Sequence, residues 1–231
     1  MTVMKKAKLL CISGIDGSGK TTISRILVKE LQGKNKKACY IYGRIIPIFT
    51  RIGIFFGKAF ILKQSKGAVS KSYKDYEAHK KSFLKNNILL RVLFKYSFLF
   101  EQLIQIYIKV VPKILFCDYV ILDRYIYDTI ITDISPNLEM SSQDALNLTK
   151  KYLKFVPKPS MIILIDVPEE IAYRRKTDIP HIDYLKIRRK LYLEVFMGLK
   201  EDDTGVPIYI IDGTKDISEL ILELFTKLEG G

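Results

Sequence analysis

Five runs of consecutive apolar residues punctuate the chain, at 8–13, 37–42, 119–123, 161–166 and 207–212. Unbroken apolar character, as opposed to strict alternation, marks strands buried on both faces, the arrangement of a parallel sheet. Between the runs, apolar residues recur at helical spacing, first over 22–31 and then over about 75–110, 141–153, 168–176, 182–199 and 216–228. The pattern predicts one α/β domain over 1–231, a three-layer sandwich with a five-stranded parallel sheet in the middle. In such sheets ligands collect beyond the carboxyl ends of the strands, and three of the runs end on an aspartate there: Asp123, Asp166 and Asp212.

Directly after the first run stands Gly14-Ile15-Asp16-Gly17-Ser18-Gly19-Lys20-Thr21, a complete G-x-x-x-x-G-K-[ST] string with a helical pattern behind it. Strand, glycine loop and helix in that order make a P-loop NTPase fold and a nucleoside triphosphate site. Glycines at 14, 17 and 19 let backbone N–H groups approach the phosphates. Lys20 would place a point charge on the β and γ phosphates, and the Thr21 hydroxyl would hold Mg²⁺.

The chain has 231 residues, 48% of them hydrophobic, enough for one substantial core. Its net charge of +13 suits phosphorylated molecules, nucleic acid or an anionic membrane. The lysines are spread along the chain with no aromatic-interleaved basic stripe, so no nucleic-acid partner is expected. Cys11, Cys39 and Cys117 show no metal-ligand spacing, and an odd number without a signal peptide reads as a reducing cytoplasm. His79 and His181 are isolated and read as ordinary histidines. Two stretches are unusually apolar. The first, 45–62, holds Pro47, Arg51 and Lys58 and reads as core, with a lid, a dimer surface or an interfacial segment as alternatives; the variable region extends to about 72. The second, 87–111, is interrupted by Arg91, Lys95, Glu101 and Lys109 and reads as a long core helix, not a membrane span.

The phosphate loop with Thr22, then Asp123-Arg124-Tyr125, then Asp166-Val167-Pro168-Glu169-Glu170, then Ile211-Asp212-Gly213 resembles thymidylate kinase and its relatives among nucleoside monophosphate kinases, over almost the whole length. The resemblance implies transfer of the γ-phosphoryl of ATP, with Mg²⁺, to a nucleoside monophosphate, dTMP giving dTDP. It implies a cytoplasmic nucleotide-biosynthesis enzyme, a homodimer as related kinases often are. ATP would be held by Gly14, Asp16, Gly17, Ser18, Gly19, Lys20, Thr21, Thr22 and Gly213, and the metal by Thr21 and Asp123.

For the acceptor, Arg124 suits a phosphate because a planar guanidinium grips it in bidentate fashion. Arg44 stands where the family carries a further phosphate-binding arginine, although of the surrounding Thr-Arg-Glu-Pro-Gly-like loop only a displaced Pro47 survives. Pro112 keeps the family's distance to Asp123, which aligns Phe98 with the base-stacking position and puts Gln102 where the family has a base-reading arginine. Asp16 matches the carboxylate for the sugar 3′-hydroxyl, while Asp128 replaces an expected serine. Because Gly17 stands where one type of the family carries a loop arginine, the catalytic charge is expected from a lid over 174–189, with Arg174 and Arg175 foremost beside Lys176, Arg188 and Arg189. The departures at Gln102, Asp128 and 45–62 leave open a kinase with another, even amphipathic, acceptor. A non-catalytic ATP-binding regulator or membrane-associated switch is the reading from a different class.

Overall fold

The computed structural model describes residues 7–46, 84, 87–202 and 205–229; the apolar segment beyond residue 46, the start of the helix expected from 75, and His79 lie outside them. Five strands form one sheet in the order β2-β3-β1-β4-β5: β1 Lys8–Ser13, β2 Ala38–Tyr42, β3 Tyr119–Asp123, β4 Met161–Asp166 and β5 Ile208–Asp212. All four pairings are parallel. The central strand β1 aligns Ile12 with Asp123 on one side and Ser13 with Leu164 on the other, which brings the carboxyl ends to a common edge. Leu9, Leu10, Cys11, Ile12, Ile121, Leu122 and Ile163 are almost fully buried, as unbroken apolar strands covered by helices on both faces require.

The helices follow the expected periods, and two of them start on a side-chain cap. Helix α1 is Lys20–Gly33, α6 Ser142–Leu153, α7 Glu169–Arg175, α8 Ile182–Glu201 and α9 Ile217–Glu229. Ser141 caps α6, its hydroxyl accepting from the Asp144 N–H at 3.1 Å, and His181 caps α8, its Nδ1 accepting from the Tyr184 N–H at 3.1 Å. His181 thus has a structural task.

Helix α2, Ile88–Lys109, departs from the core helix expected of it. One face carries Phe94, Phe98, Leu99, Gln102 and Ile106 inward, but Leu89, Leu93, Phe100, Tyr107 and Ile108 on the rest of its surface are exposed. Helix α3, Val111–Phe116, follows, with Pro112 in its first turn where a missing N–H costs nothing. After β3 the chain coils through α4 Ile126–Asp128, a π-helical turn Thr129–Ile134 and α5 Ser135–Leu138, none of it expected. The β-branched run of 129–134 has poor helix propensity; tertiary burial overrides it, with Ile126, Ile130, Ile131 and Ile134 withdrawn from solvent.

The cysteine reading needs correction. Cys39 on β2 and Cys117 just before β3 are joined by a disulfide across 78 residues of sequence, and among the described residues only Cys11 is free. Because β2 and β3 pair with Cys39 opposite Val120, topology brings together two thiols whose spacing says nothing. The cysteines therefore give no support to a reducing compartment. Closing a loop of that size stabilises by about 4 kcal/mol through chain entropy. We expect one free thiol per denatured, unreduced molecule and three after reduction, and a Cys117→Ser protein that unfolds at clearly lower urea. Three free thiols before reduction would refute the bridge.

Candidate active site

The loop between β1 and α1 is held in its cradle shape by backbone that side chains could not share. Gly17 has φ +87°, and a Cβ there would overlap the Ala172 carbonyl of α7, so this position is glycine because α7 presses on the loop. Gly19, in the left-handed region, stands as the N-cap of α1 with no side-chain cap, and no acidic residue occupies the first turn. The N-terminal N–H groups and the positive end of the helix dipole face an anion unopposed. Buried Ser18 completes the turn with its N–H on the Ile15 carbonyl at 3.1 Å. Thr22 is exposed on the first turn of the helix.

Around this loop gather cations that converge on Asp16. The Arg124 guanidinium pairs directly with its Oδ1, while Lys20 Nζ and Lys176 Nζ stand 3.8 and 3.9 Å from the same oxygen. Burial opposes ionisation of Asp16, but Arg124, Lys20, Lys176 and Arg44 together outweigh it and pull its pKa down to about 2. Lys20 is almost fully buried and donates to the Ile15 carbonyl at 2.8 Å. Loss of hydration, with repulsion from Arg124, outweighs the nearby aspartates and pushes its pKa down to about 7.

Arg124 is seated from several sides. Its φ is +77°, a left-handed conformation that a long side chain adopts only under constraint. Its N–H donates to the Ile12 carbonyl at 2.9 Å, and Gly43 lies so close that a Cβ would overlap the Arg124 carbonyl. The other amino group of Arg124 reaches the Tyr192 hydroxyl at 3.4 Å and Asp128 Oδ1 at 3.5 Å. Asp128 is fully buried and also accepts from Ser13 Oγ at 2.5 Å, Tyr192 OH at 2.5 Å and the Tyr125 N–H at 2.9 Å. Burial dominates its titration and raises its pKa despite those partners. Asp128, noted in the sequence only as a departure, is thus a buried counter-charge to Arg124, and Tyr192 its uncharged partner.

Asp123, at the end of β3, touches the first turn of α1. Thr21 Oγ1 donates to its Oδ2 at 2.5 Å and Tyr40 OH to the same oxygen at 2.9 Å, while the buried Oδ1 has no hydrogen-bond partner. A hydroxyl and an unsatisfied carboxylate oxygen are hard donors that fit Mg²⁺, a cation that keeps waters and takes most of its remaining ligands from phosphate. No group of three or more His, Cys, Asp or Glu able to hold a metal occurs among the described residues, so the cation would depend on the nucleotide.

The remaining expected residues divide sharply. Arg44 lies beside the cluster and donates to Asp133 Oδ1 of the π-helical turn at 3.1 Å. Gln102 is buried, but its Nε2 donates to the Gly43 carbonyl at 2.8 Å, so it braces the β2 loop, and only its unpartnered Oε1 is left for a ligand. Phe98 is buried with its ring centroid 4.8 Å from that of Phe94, a packing contact. Of the lid cations, Arg174 and Arg175 are exposed, and Arg175 donates to the Gly213 carbonyl at 3.1 Å, beyond β5. Arg189 clasps both oxygens of Asp166 at 2.8 and 2.9 Å and Glu169 at 2.8 Å. Arg188 lies buried over the Tyr184 ring. Lys176 is the lid cation at Asp16. Asp166 and Asp212 turn out structural, the latter accepting from the Thr214 N–H at 2.9 Å. Tyr40, Asp133 and Tyr192 had no sequence signal beyond lying near the motifs.

Residues 2–44, covering β1, the loop, α1 and β2, match the family described as Nephrocystin 3, N-terminal. Over its whole length the chain is similar to curated archaeal proteins. It is 29% identical over 229 residues to probable thymidylate kinase 1 of Saccharolobus solfataricus, covering 93% of each chain. It is 28% identical over 233 residues to probable thymidylate kinase of Sulfolobus acidocaldarius, covering 94% of each. To probable thymidylate kinase of Archaeoglobus fulgidus it is 26% identical over 228 residues, covering 96% of this chain and 94% of the other. The fold is like that of a deoxyadenosine kinase from M. mycoides solved with dCMP and a flexible dCDP as products, with a TM-score of 0.55 and 19% identity over 96% of this chain and 100% of that one.

A Lys20 that titrates near 7 in the fold and at its ordinary, higher value when unfolded makes the ligand-free protein gain stability as pH rises from about 7 to 10. An anion that restores the lysine's charge must bring in a proton. At pH 8, binding of ATP is expected to take up about one proton, read from calorimetric enthalpies in buffers of different ionisation enthalpy. Lys20→Met should abolish the uptake; an unchanged uptake would contradict the assignment.

Proposed function

We propose that the chain is a thymidylate kinase-like nucleoside monophosphate kinase, a reading supported by its 26–29% identity to proteins named probable thymidylate kinase over 93–96% of its length, and that it transfers the γ-phosphoryl group of ATP, with Mg²⁺, to the phosphate of a nucleoside monophosphate, with dTMP as the leading acceptor. The observation that carries this reading is the convergence of Lys20, Arg124 and Lys176 on Asp16, with Thr21, the residue after Lys20, in contact with Asp123.

Phosphoryl transfer asks a protein for positioning and for neutralisation of charge, more than for covalent chemistry. Mg²⁺, when bound, would be held on the protein side by Thr21 and Asp123 and would supply neutralisation of the phosphate charge. The loop N–H groups and Lys20 hold the triphosphate. Arg124, fixed by Asp128 and Tyr192, presents its amino groups to the acceptor phosphate, which displaces the Asp16 carboxylate from them and leaves Asp16 for the sugar hydroxyl. Arg44, released from Asp133, adds a second guanidinium. Lys176 takes the task expected of Arg174 or Arg175 and moves from Asp16 to the transferring group. The enzyme would work in the cytoplasm, where its nucleotides are, and as a homodimer through the exposed apolar face of α2.

One observation favours an acceptor other than dTMP. The tie of Gln102 to the Gly43 carbonyl leaves the family's base-reading position with a single acceptor oxygen.

The test is ADP formation with Mg²⁺-ATP over a panel of nucleoside monophosphates, nucleosides and amphipathic phosphates. Turnover of at least one nucleoside monophosphate is expected, abolished in Lys20→Ala and reduced about a hundredfold in kcat in Lys176→Ala. No turnover with any monophosphate, despite tight ATP binding, would overturn the reading.

A further inference from the structure

Tyr40 lies in the middle of β2, and nothing in the motifs draws attention to it. Its phenol donates to Asp123 Oδ2 at 2.9 Å, the same oxygen that accepts from Thr21 Oγ1 at 2.5 Å. Asp123 is fully buried, and its other oxygen, Oδ1, has no hydrogen-bond partner. Two donors on one oxygen and none on the other make an asymmetric clamp. The carboxylate cannot rotate without giving up both hydrogen bonds inside the protein, a loss that buried groups rarely bear.

We propose that Tyr40 is a positioning residue for the metal-bound triphosphate: by tying down Oδ2 it keeps Asp123 Oδ1 free and aimed at the hydration shell of the divalent cation. The inference rests on the reading of Thr21 and Asp123 as the metal's support. The Thr21 hydroxyl gives its one proton to Asp123 and keeps its lone pairs for the cation, and the Tyr40 phenol adds a second donor on the same oxygen from outside the phosphate loop.

The strand register explains why a tyrosine serves. On the neighbouring strand Tyr42 is paired with Asp123, and Tyr40 with Ile121, so residue 40 is the diagonal neighbour of Asp123 on the same face. A diagonal neighbour needs a long, stiff side chain to deliver a hydroxyl, and tyrosine has both reach and only two soft torsions. Arg25, one turn along α1 from Thr21, lays its guanidinium 5.5 Å from the Tyr40 ring centroid and limits the ring's movement.

The experiment compares ATP affinity with excess Mg²⁺ and with a chelator, by calorimetry, in the wild-type protein, Tyr40→Phe and Asp123→Asn. In wild type Mg²⁺ tightens binding. In Tyr40→Phe the chelator affinity should match wild type while the Mg²⁺-dependent gain falls about three- to tenfold. The Mg²⁺ concentration giving half-maximal turnover should rise by a similar factor. A purely structural role would weaken both affinities together and leave their ratio alone, and that result overturns the inference. If Asp123→Asn lowers the gain and Tyr40→Phe does not, this inference fails alone. If neither lowers it, the metal reading of Thr21 and Asp123 fails first. Should Tyr40→Phe not fold, Arg25→Ala on the exposed side of the ring takes its place, with the same direction expected and an unchanged gain as the contrary result.

Discussion

A guanidinium withdrawn from water must be neutralised where it stands, and that of Arg124 is 2% exposed on a residue with a left-handed backbone. The compensation is local and shapes the whole sheet edge, with the buried Nε alone left without a hydrogen-bond partner. Asp16 balances one amino group, Asp128 and Tyr192 the other, and the backbone is seated between the Ile12 carbonyl and the bare face of Gly43. Gly43 in turn is fixed by the Asp123 carbonyl at 2.8 Å and by Gln102 from α2. The phosphate loop, the end of β3, the β2 loop and α8 therefore meet through a single arginine.

The charge balance at this edge explains its chemistry. Asp16 stands where anionic oxygens of a substrate would satisfy the same cations, so Lys20, Arg124 and Lys176 are already gathered before any ligand arrives. Such pre-organisation reduces the reorganisation needed during phosphoryl transfer. Asp128 works differently. Buried and saturated with donors, it holds Arg124 in register and would be costly to remove singly, because one buried amino group of the arginine would lose its counter-charge.

Much of this was legible in the sequence because it depends on local chemistry. The apolar runs gave all five strands, and the glycine-lysine-threonine string and Asp123-Arg124, distant in sequence, lie together in the fold. What sequence could not carry was contact between distant elements. Cys39 and Cys117 are neighbours only through the β2–β3 pairing. Tyr40 reaches Asp123 only through strand register. The π-helical turn that holds Asp133 against Arg44 is stabilised by burial against its own β-branched propensities. The partners of the lid cations were illegible for a related reason. A count of cations cannot reveal that Arg189 is spent on Asp166 and Glu169, Arg175 on Gly213, and that a lysine, Lys176, is the one turned toward the loop.

The central claim is that the Arg124–Asp16 pair is the stand-in for an arginine–phosphate contact. It is tested most directly by a crystal structure with Mg²⁺, a non-hydrolysable ATP analogue and a nucleoside monophosphate turned over in the acceptor panel. The account predicts that Arg124 releases Asp16 and grips the acceptor phosphate, with Asp128 and Tyr192 unmoved behind it. An Arg124 still paired with Asp16, with the acceptor phosphate bound by other groups, would contradict it.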